Sequence, residues 1–255
     1  MEERQTDFTI MEGYELPSRG KIYDVPVNSH VELRSMTARD EMKRLSPSTT
    51  PLKTLADIIE GCMIEKPAIH VYDMALGDYE YLLHKLRVVT YGPEYKISTR
   101  CPECGNLIET TANLDSLETK EFSLEKFEDL KEFTLPKSGK RVKLKMITPR
   151  MLDEIDNKVK DMERKHKGAG FDFETLIKLT TSIDTIDNEK CSITELETLI
   201  NNMPAADMAC ILNNMDKLNQ CLGLDTRLYI TCPKCGEDFM NFFRFGPEFF
   251  RPTNI

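Results

Sequence analysis

The residues of this chain with the clearest chemistry are two matching cysteine turns, Cys101-Pro102-Glu103-Cys104-Gly105 and Cys232-Pro233-Lys234-Cys235-Gly236. Each sets two thiols one tight turn apart, and four thiolates complete a closed tetrahedral zinc site. Proline pre-sets the turn, and the following glycine lets backbone amides point at the sulfurs. The spacing therefore predicts one structural Zn2+ held by Cys101, Cys104, Cys232 and Cys235. A closed all-thiolate site leaves no position for water, so it clamps rather than catalyses. Spacing alone leaves open whether the ion is held within one chain or between chains. The competing reading is a thioredoxin-type redox pair, which needs an exposed first thiol at a helix N-terminus. Here both turns follow extended segments, Tyr95-Lys96-Ile97 and Leu228-Tyr229-Ile230, and the trailing glycines favour a ribbon turn.

No other catalytic constellation stands beside them. HExxH, GxxxxGKS/T and GxGxxG are all missing, and neither cysteine turn has the Pro-Cys-x-x-Cys order of a zinc deaminase. His30, His70, His84 and His166 are scattered and read as surface or helix residues, and Asp153-Glu154 as part of a solvated helix face. The remaining cysteines, Cys62, Cys191, Cys210 and Cys221, lack ligand spacing and read as structural. A non-enzyme is expected.

Composition narrows the class. The formal net charge of −9 argues against a general nucleic-acid or anionic-membrane binder. One basic cluster, Lys137, Lys140, Arg141, Lys143 and Lys145, lacks interleaved aromatics. It reads as a docking face for an acidic partner or for the chain's own acidic segment. A zinc-ribbon nucleic-acid-binding factor stays as the alternative function, with a CxxC thiol oxidoreductase behind it. Met1–Gln5 carries no apolar core of a signal peptide, and no run approaches the roughly eighteen apolar residues of a membrane span. A soluble intracellular product is expected.

The elements that must bring the two turns together show an internal repeat. Leu16-Pro17-Ser18-Arg19-Gly20-Lys21 recurs as Leu135-Pro136-Lys137-Ser138-Gly139-Lys140, and Met36-Thr37-Ala38-Arg39 as Ile147-Thr148-Pro149-Arg150. Met74-Ala75-Leu76-Gly77-Asp78 recurs as Met203-Pro204-Ala205-Ala206-Asp207, followed by matching apolar stripes. The order predicts an α+β fold of two related strand-plus-helices copies, each of about one hundred residues. Their cysteine turns would join in one zinc ribbon-like site. The expected division is 1–118, a charged joining segment 119–132 that is either helix or linker, and 133–255.

Local signals predict the elements. Val31–Met36 and Arg141–Met146 alternate as strands with one wet face. Thr37, with Asp40 three positions on, and Thr148, with Pro149 at the first helical position, read as helix starts. The helix from Thr148 should run to about Lys165 and break at Gly168-Ala169-Gly170. Further helices are expected over Pro51–Cys62 and Phe173–Ile183, and after a Ser192/Glu195 capping box. At the end, Phe239, Phe242, Phe243, Phe245, Phe249 and Phe250 make up six of the twelve phenylalanines. They predict a terminal strand apolar on both faces. Its second cover is either another protein, with Phe242, Phe243, Phe245, Phe249 and Phe250 as docking residues, or the first copy.

Taken in order, Leu16-Pro17-Ser18-Arg19-Gly20-Lys21-Ile22-Tyr23, Val31–Glu41, Gly77-Asp78-Tyr79, Tyr91-Gly92 and Cys101-Pro102-x-Cys104-Gly105 resemble the T4-type bacteriophage baseplate protein family. These are baseplate hub subunits or hub assembly proteins. The likeness is close over the first copy and looser over the second, where the Leu-Pro-x-x-Gly-Lys turn and last cysteine turn carry it. The resemblance implies a non-enzymatic part in building a contractile tail, with baseplate hub or tail proteins as partners. It places the protein in the host cytoplasm during assembly or in the virion's baseplate.

Overall fold

A computed structural model of the chain describes residues 10–166, 170–243, 245 and 247–250. The first half opens with β1 (Met11–Glu15) antiparallel to β2 (His30–Arg34), joined across the Leu-Pro-x-x-Gly-Lys turn. Helices α1 (Ala38–Arg44), α2 (Pro51–Cys62) and α3 (Leu76–Tyr91) follow, then the hairpin β3 (Glu94–Arg100)–β4 (Leu107–Asn113). The chain continues through α4 (Leu124–Lys131), β5 (Glu132–Thr134) and β6 (Arg141–Leu144) to α5 (Pro149–Lys165) and α6 (Phe173–Ser182). It ends with β7 (Ile183–Ile186), α7 (Ile193–Asn202), α8 (Ala205–Gln220) and the hairpin β8 (Arg227–Thr231)–β9 (Asp238–Phe242). Among the described residues this is a mixed α/β fold with eight helices and four small sheets. No described helix is long and apolar enough to cross a membrane.

Local chemistry explains the helix starts. Thr37 and Asp40 form a reciprocal capping box at α1, and Ser192 and Glu195 form another at α7. Thr148 Oγ1 accepts from the Met151 amide while Pro149 occupies the first turn of α5, where its missing N–H costs no bond. The strand pattern is equally direct: Val31 and Leu33 of β2, and Val142 and Leu144 of β6, point inward. α5 ends at Lys165, as its charge pattern suggests. Gly168 and Ala169, expected to break it, and Met1–Gln5 lie outside the described residues.

Each half is built on one core, with a few residues crossing over, such as Leu224 into the first and Ile22 and Ala75 into the second. Leu33, Ile59, Leu82 and Leu86 lie in the first, and Val142, Leu144, Leu179 and Ile211 in the second. The charged joining segment carries a helix, α4, exposed over most of its length. Ser123 caps α4, whose single buried side chain, Phe127, packs into the second core, and α4 lies along α8. Phe127, with the partly buried Leu130 beside it, holds a helix whose other residues are mostly charged.

The chain's end corrects the expected long strand. β9 stops at Phe242, and the following residues cross to the first half, where Phe243, Phe249 and Phe250 are buried in its core and Phe245 packs against it. Tyr95 meets Phe243 edge-on at 5.2 Å between ring centroids. Arg87, wholly buried in α3, donates to the Phe249 carbonyl at 3.1 Å and the Gly92 carbonyl at 2.8 Å. An aromatic cluster held by a guanidinium offers more contact than an exposed strand edge could.

Candidate metal centre

The two cysteine turns sit at the tips of the β3–β4 and β8–β9 hairpins, and their backbones are copies of one another. The Cys101 amide donates to the Asn106 carbonyl at 2.9 Å and the Gly105 amide to the Cys101 carbonyl at 3.0 Å. In the second turn the Cys232 amide donates to the Glu237 carbonyl at 2.8 Å and the Gly236 amide to the Cys232 carbonyl at 2.9 Å. Gly105 and Gly236 have φ of 68° and 77°, a conformation that penalises a side chain.

Folding brings the four sulfurs together. All lie within 4.8 Å of one another, and the Sγ–Sγ separations Cys101–Cys235 and Cys104–Cys232 are both 3.7 Å. Metal–thiolate bonds near 2.3 Å set the edge of an ideal tetrahedron at about 3.8 Å, so the donor set and spacing fit a four-thiolate metal ion. The spacing is too wide for a disulfide, whose S–S bond is about 2.05 Å. Cys101 and Cys232 are 2% and 1% exposed, Cys104 is half-buried and Cys235 faces solvent. Ile108, Ile230 and Phe239 pack around the cluster.

The Cys235 and Lys234 amides favour the Cys232 thiolate and bring its pKa down to about 6. Cys235 is pushed up to about 12: the Glu237 amide favours its thiolate, but burial and the three neighbouring sulfurs outweigh it. Cys232 therefore forms a thiolate readily, and a Cys235 thiolate needs a cation beside it. These residues can hold a metal. Reactivity toward a substrate disulfide is poorly served, because Cys101 and Cys232, the first thiols of the two turns, are the buried ones.

The other candidate residues stay apart from this cluster. His30 pairs with Glu15, and His70 with Asp57 and Glu60. His84 is not a surface residue: it is fully buried in α3, its Nε2 3.0 Å from the Leu114 carbonyl oxygen, and burial lowers its pKa to about 4. Cys62, Cys191, Cys210 and Cys221 lie outside the group. Within the basic cluster, Arg141 pairs with Glu132 at the end of the acidic joining segment, and Lys140 with Asp187 at 2.9 Å. The chain thus supplies its own acidic partners there. Of the phenylalanines nominated for docking, Phe242 is 52% exposed on the outer face of β9, and the buried ones serve the first core.

Four polar residues matter more than the sequence suggested. Asp153 is 5% exposed, not solvated: its Oδ2 accepts from the Tyr72 hydroxyl at 2.9 Å and the Lys53 amide at 3.2 Å. Arg150 donates to Asp73, one of its two bonds being 2.8 Å, and stacks over Tyr72. Asp78 and Asp207 each hold a Leu-Pro-x-x-Gly-Lys turn. Their presence at matching positions of the repeated blocks was the one sequence signal for them.

No curated protein and no solved structure matches the chain. One family model does, the T4 bacteriophage base plate protein model, aligned to residues 12–251 and so spanning both halves and both cysteine turns. On that match the chain belongs to the T4 bacteriophage base plate protein family.

Proposed function

We propose that the chain is a non-enzymatic structural or assembly protein of a contractile phage tail, acting in baseplate hub assembly and stabilised by one structural Zn2+. The observation that carries the zinc is the four-thiolate cluster itself, with 3.7 Å edges across opposite hairpins. Thiolates in a small tetrahedron select zinc over oxygen-loving cations, and a closed site contributes its binding energy to folding. Cys101 and Cys104 come from the first half and Cys232 and Cys235 from the second, so the metal would tie two related halves of one chain. Family membership supports hub or tail proteins as partners. The exposed face of β8–β9, with Tyr229, Met240 and Phe242, is the docking surface retained from the terminal phenylalanines.

Two measurements test this reading. Native mass spectrometry should find one zinc per monomer, lost when Cys104 or Cys235 is replaced by serine. A tagged chain expressed in infected cells should recover baseplate hub or tail proteins. Metal bound only by dimers would replace the intramolecular clamp with a bridge between chains, and consistent absence of tail proteins would sink the assembly role.

A further inference from the structure

The two halves of this chain meet through a groove that the second half also possesses but leaves open. In the first half, α2 and the turn Val71–Asp73 that leads into α3 form a groove, and the N-terminal turns of α5 from the second half fill it. Asp153 is received there by the Tyr72 hydroxyl and the Lys53 amide, Arg150 by Asp73, and the Leu76 amide donates to the Ile147 carbonyl at 2.9 Å.

The second-half counterpart follows from matching bridges. Met63 after α2 bridges Leu33 of β2, and Ile183 after α6 pairs with Leu144 of β6. With α3 matched to α8, the equivalent groove runs between α6 and the start of α8, closed at one end by α7. It is a cavity of about 330 Å³ lined by Leu176, Leu179, Ile200, Met203, Ala205 and Met208. Nothing among the described residues fills it as α5 fills the first.

The element that matches α5 is α1, and α1 is bare where α5 is buried. Met42 stands at the position of Asp153 and is 64% exposed; Leu45, one turn on, is 66% exposed. Ala38, at the position of buried Pro149, is also exposed. The polarity of each groove agrees with its helix. The first has the Tyr72 hydroxyl and receives an aspartate. The second has Asn201 at the Tyr72 position, is otherwise mostly apolar, and would receive a methionine.

We propose that the α6–α8 groove is the docking site for α1 of a second copy of this chain, so that copies join head to tail. The contact would repeat between molecules the packing already made between halves. It rests on the two-copy reading of the chain. It does not depend on the identity of the tail partners, so its failure leaves the baseplate role standing. A heterologous contact of this kind closes into a ring or extends as a filament, according to the rotation per step.

Sedimentation of the full-length, metal-loaded protein from low micromolar to near-millimolar concentration tests it. Wild type should show concentration-dependent oligomers. Met42→Glu on α1 and Ala205→Glu in the groove should each weaken association by at least about tenfold, because a carboxylate would be buried without a partner. Both positions are exposed, so both variants should keep the wild-type circular dichroism and melting temperature. Mixing the two variants is the sharper test. The intact α1 of Ala205→Glu should seat in the intact groove of Met42→Glu and give a one-to-one dimer that grows no further. Monomeric wild type throughout, or a mixture that stays monomeric while wild type associates, would overturn the proposal.

Discussion

Asp78 and Asp207 hold the same turn in the two halves through the same bond: the Ser18 amide donates to Asp78 Oδ1 at 3.0 Å, and the Lys137 amide to Asp207 Oδ1 at 2.8 Å. Their electrostatics are opposite. Burial, opposed by the Ser18 and Tyr23 hydroxyls and the Ser18 amide, raises the Asp78 pKa above the usual carboxylate range. At Asp207 burial also acts upward, but the Lys137 and Ser138 amides overcome it and hold the carboxyl below its usual range.

The two carboxylates should therefore give stability profiles of opposite slope. Asp207, with a depressed folded pKa, contributes stability above about pH 4, the unfolded value, and loses it as pH falls through the folded pKa. Asp207→Asn should lower the urea midpoint at neutral pH, with the deficit shrinking on acidification. Asp78, with a raised folded pKa, makes folding less favourable as pH climbs from about 4 through that value. Asp78→Asn should flatten that part of the profile. Equal pH profiles for the two variants would contradict the assignment.

Metal removal should loosen the hairpin tips first. A structural zinc binds with about 10–16 kcal/mol in small peptides, and that energy is lost to the fold when a chelator takes the ion. Hydrogen exchange should rise at β3–β4 and β8–β9 in chelator, while the amides of α3 and α8 near their helix centres stay protected. Uniform exchange across the chain would show that the cores depend on the metal too.

Asp153 and Tyr72 join the halves through one short bond inside the groove. Asp153→Ala and Tyr72→Phe should each destabilise the protein, and a double-mutant cycle should return a coupling of about 1–3 kcal/mol. Additive effects would mean the bond contributes nothing beyond its neighbours' packing.

Gly77 packs directly against the Leu222 backbone of the second half. A Cβ there would meet the Leu222 carbonyl carbon and oxygen at 2.8 Å, and backbone cannot swing aside as a side chain can. Gly77→Ala should cost about 1–3 kcal/mol through overpacking. Thermal denaturation would read it, and an unchanged melting temperature would mean that the halves shift apart freely.

Much of this fold was legible one segment at a time. The bounds of α2, the capping boxes at Thr37 and Ser192, Pro149 opening α5 and the alternation in β2 and β6 all arise from interactions within a few residues. The cysteine turns belong to the same class, since Pro, Gly and two thiols define the loop without help from the rest of the chain. Asp153 was misread for a related reason: a charged residue on a charged helix carries no local sign that Tyr72 waits in a groove of the other half. His84 lies on a helix, one of the two places expected for it, but its depth was not legible, since a helical pattern does not say how deep the helix lies.

By itself, then, the sequence determined where helices and strands begin, which four thiols are fit to share a metal and which family the chain resembles. The tertiary structure alone decided that the thiols meet, that the terminal phenylalanines serve the first core, and that one groove is filled while its counterpart stays open. Those outcomes depend on contacts between residues far apart in the chain, whose energies come from burial and complementary shape. Neither exists until both surfaces are built.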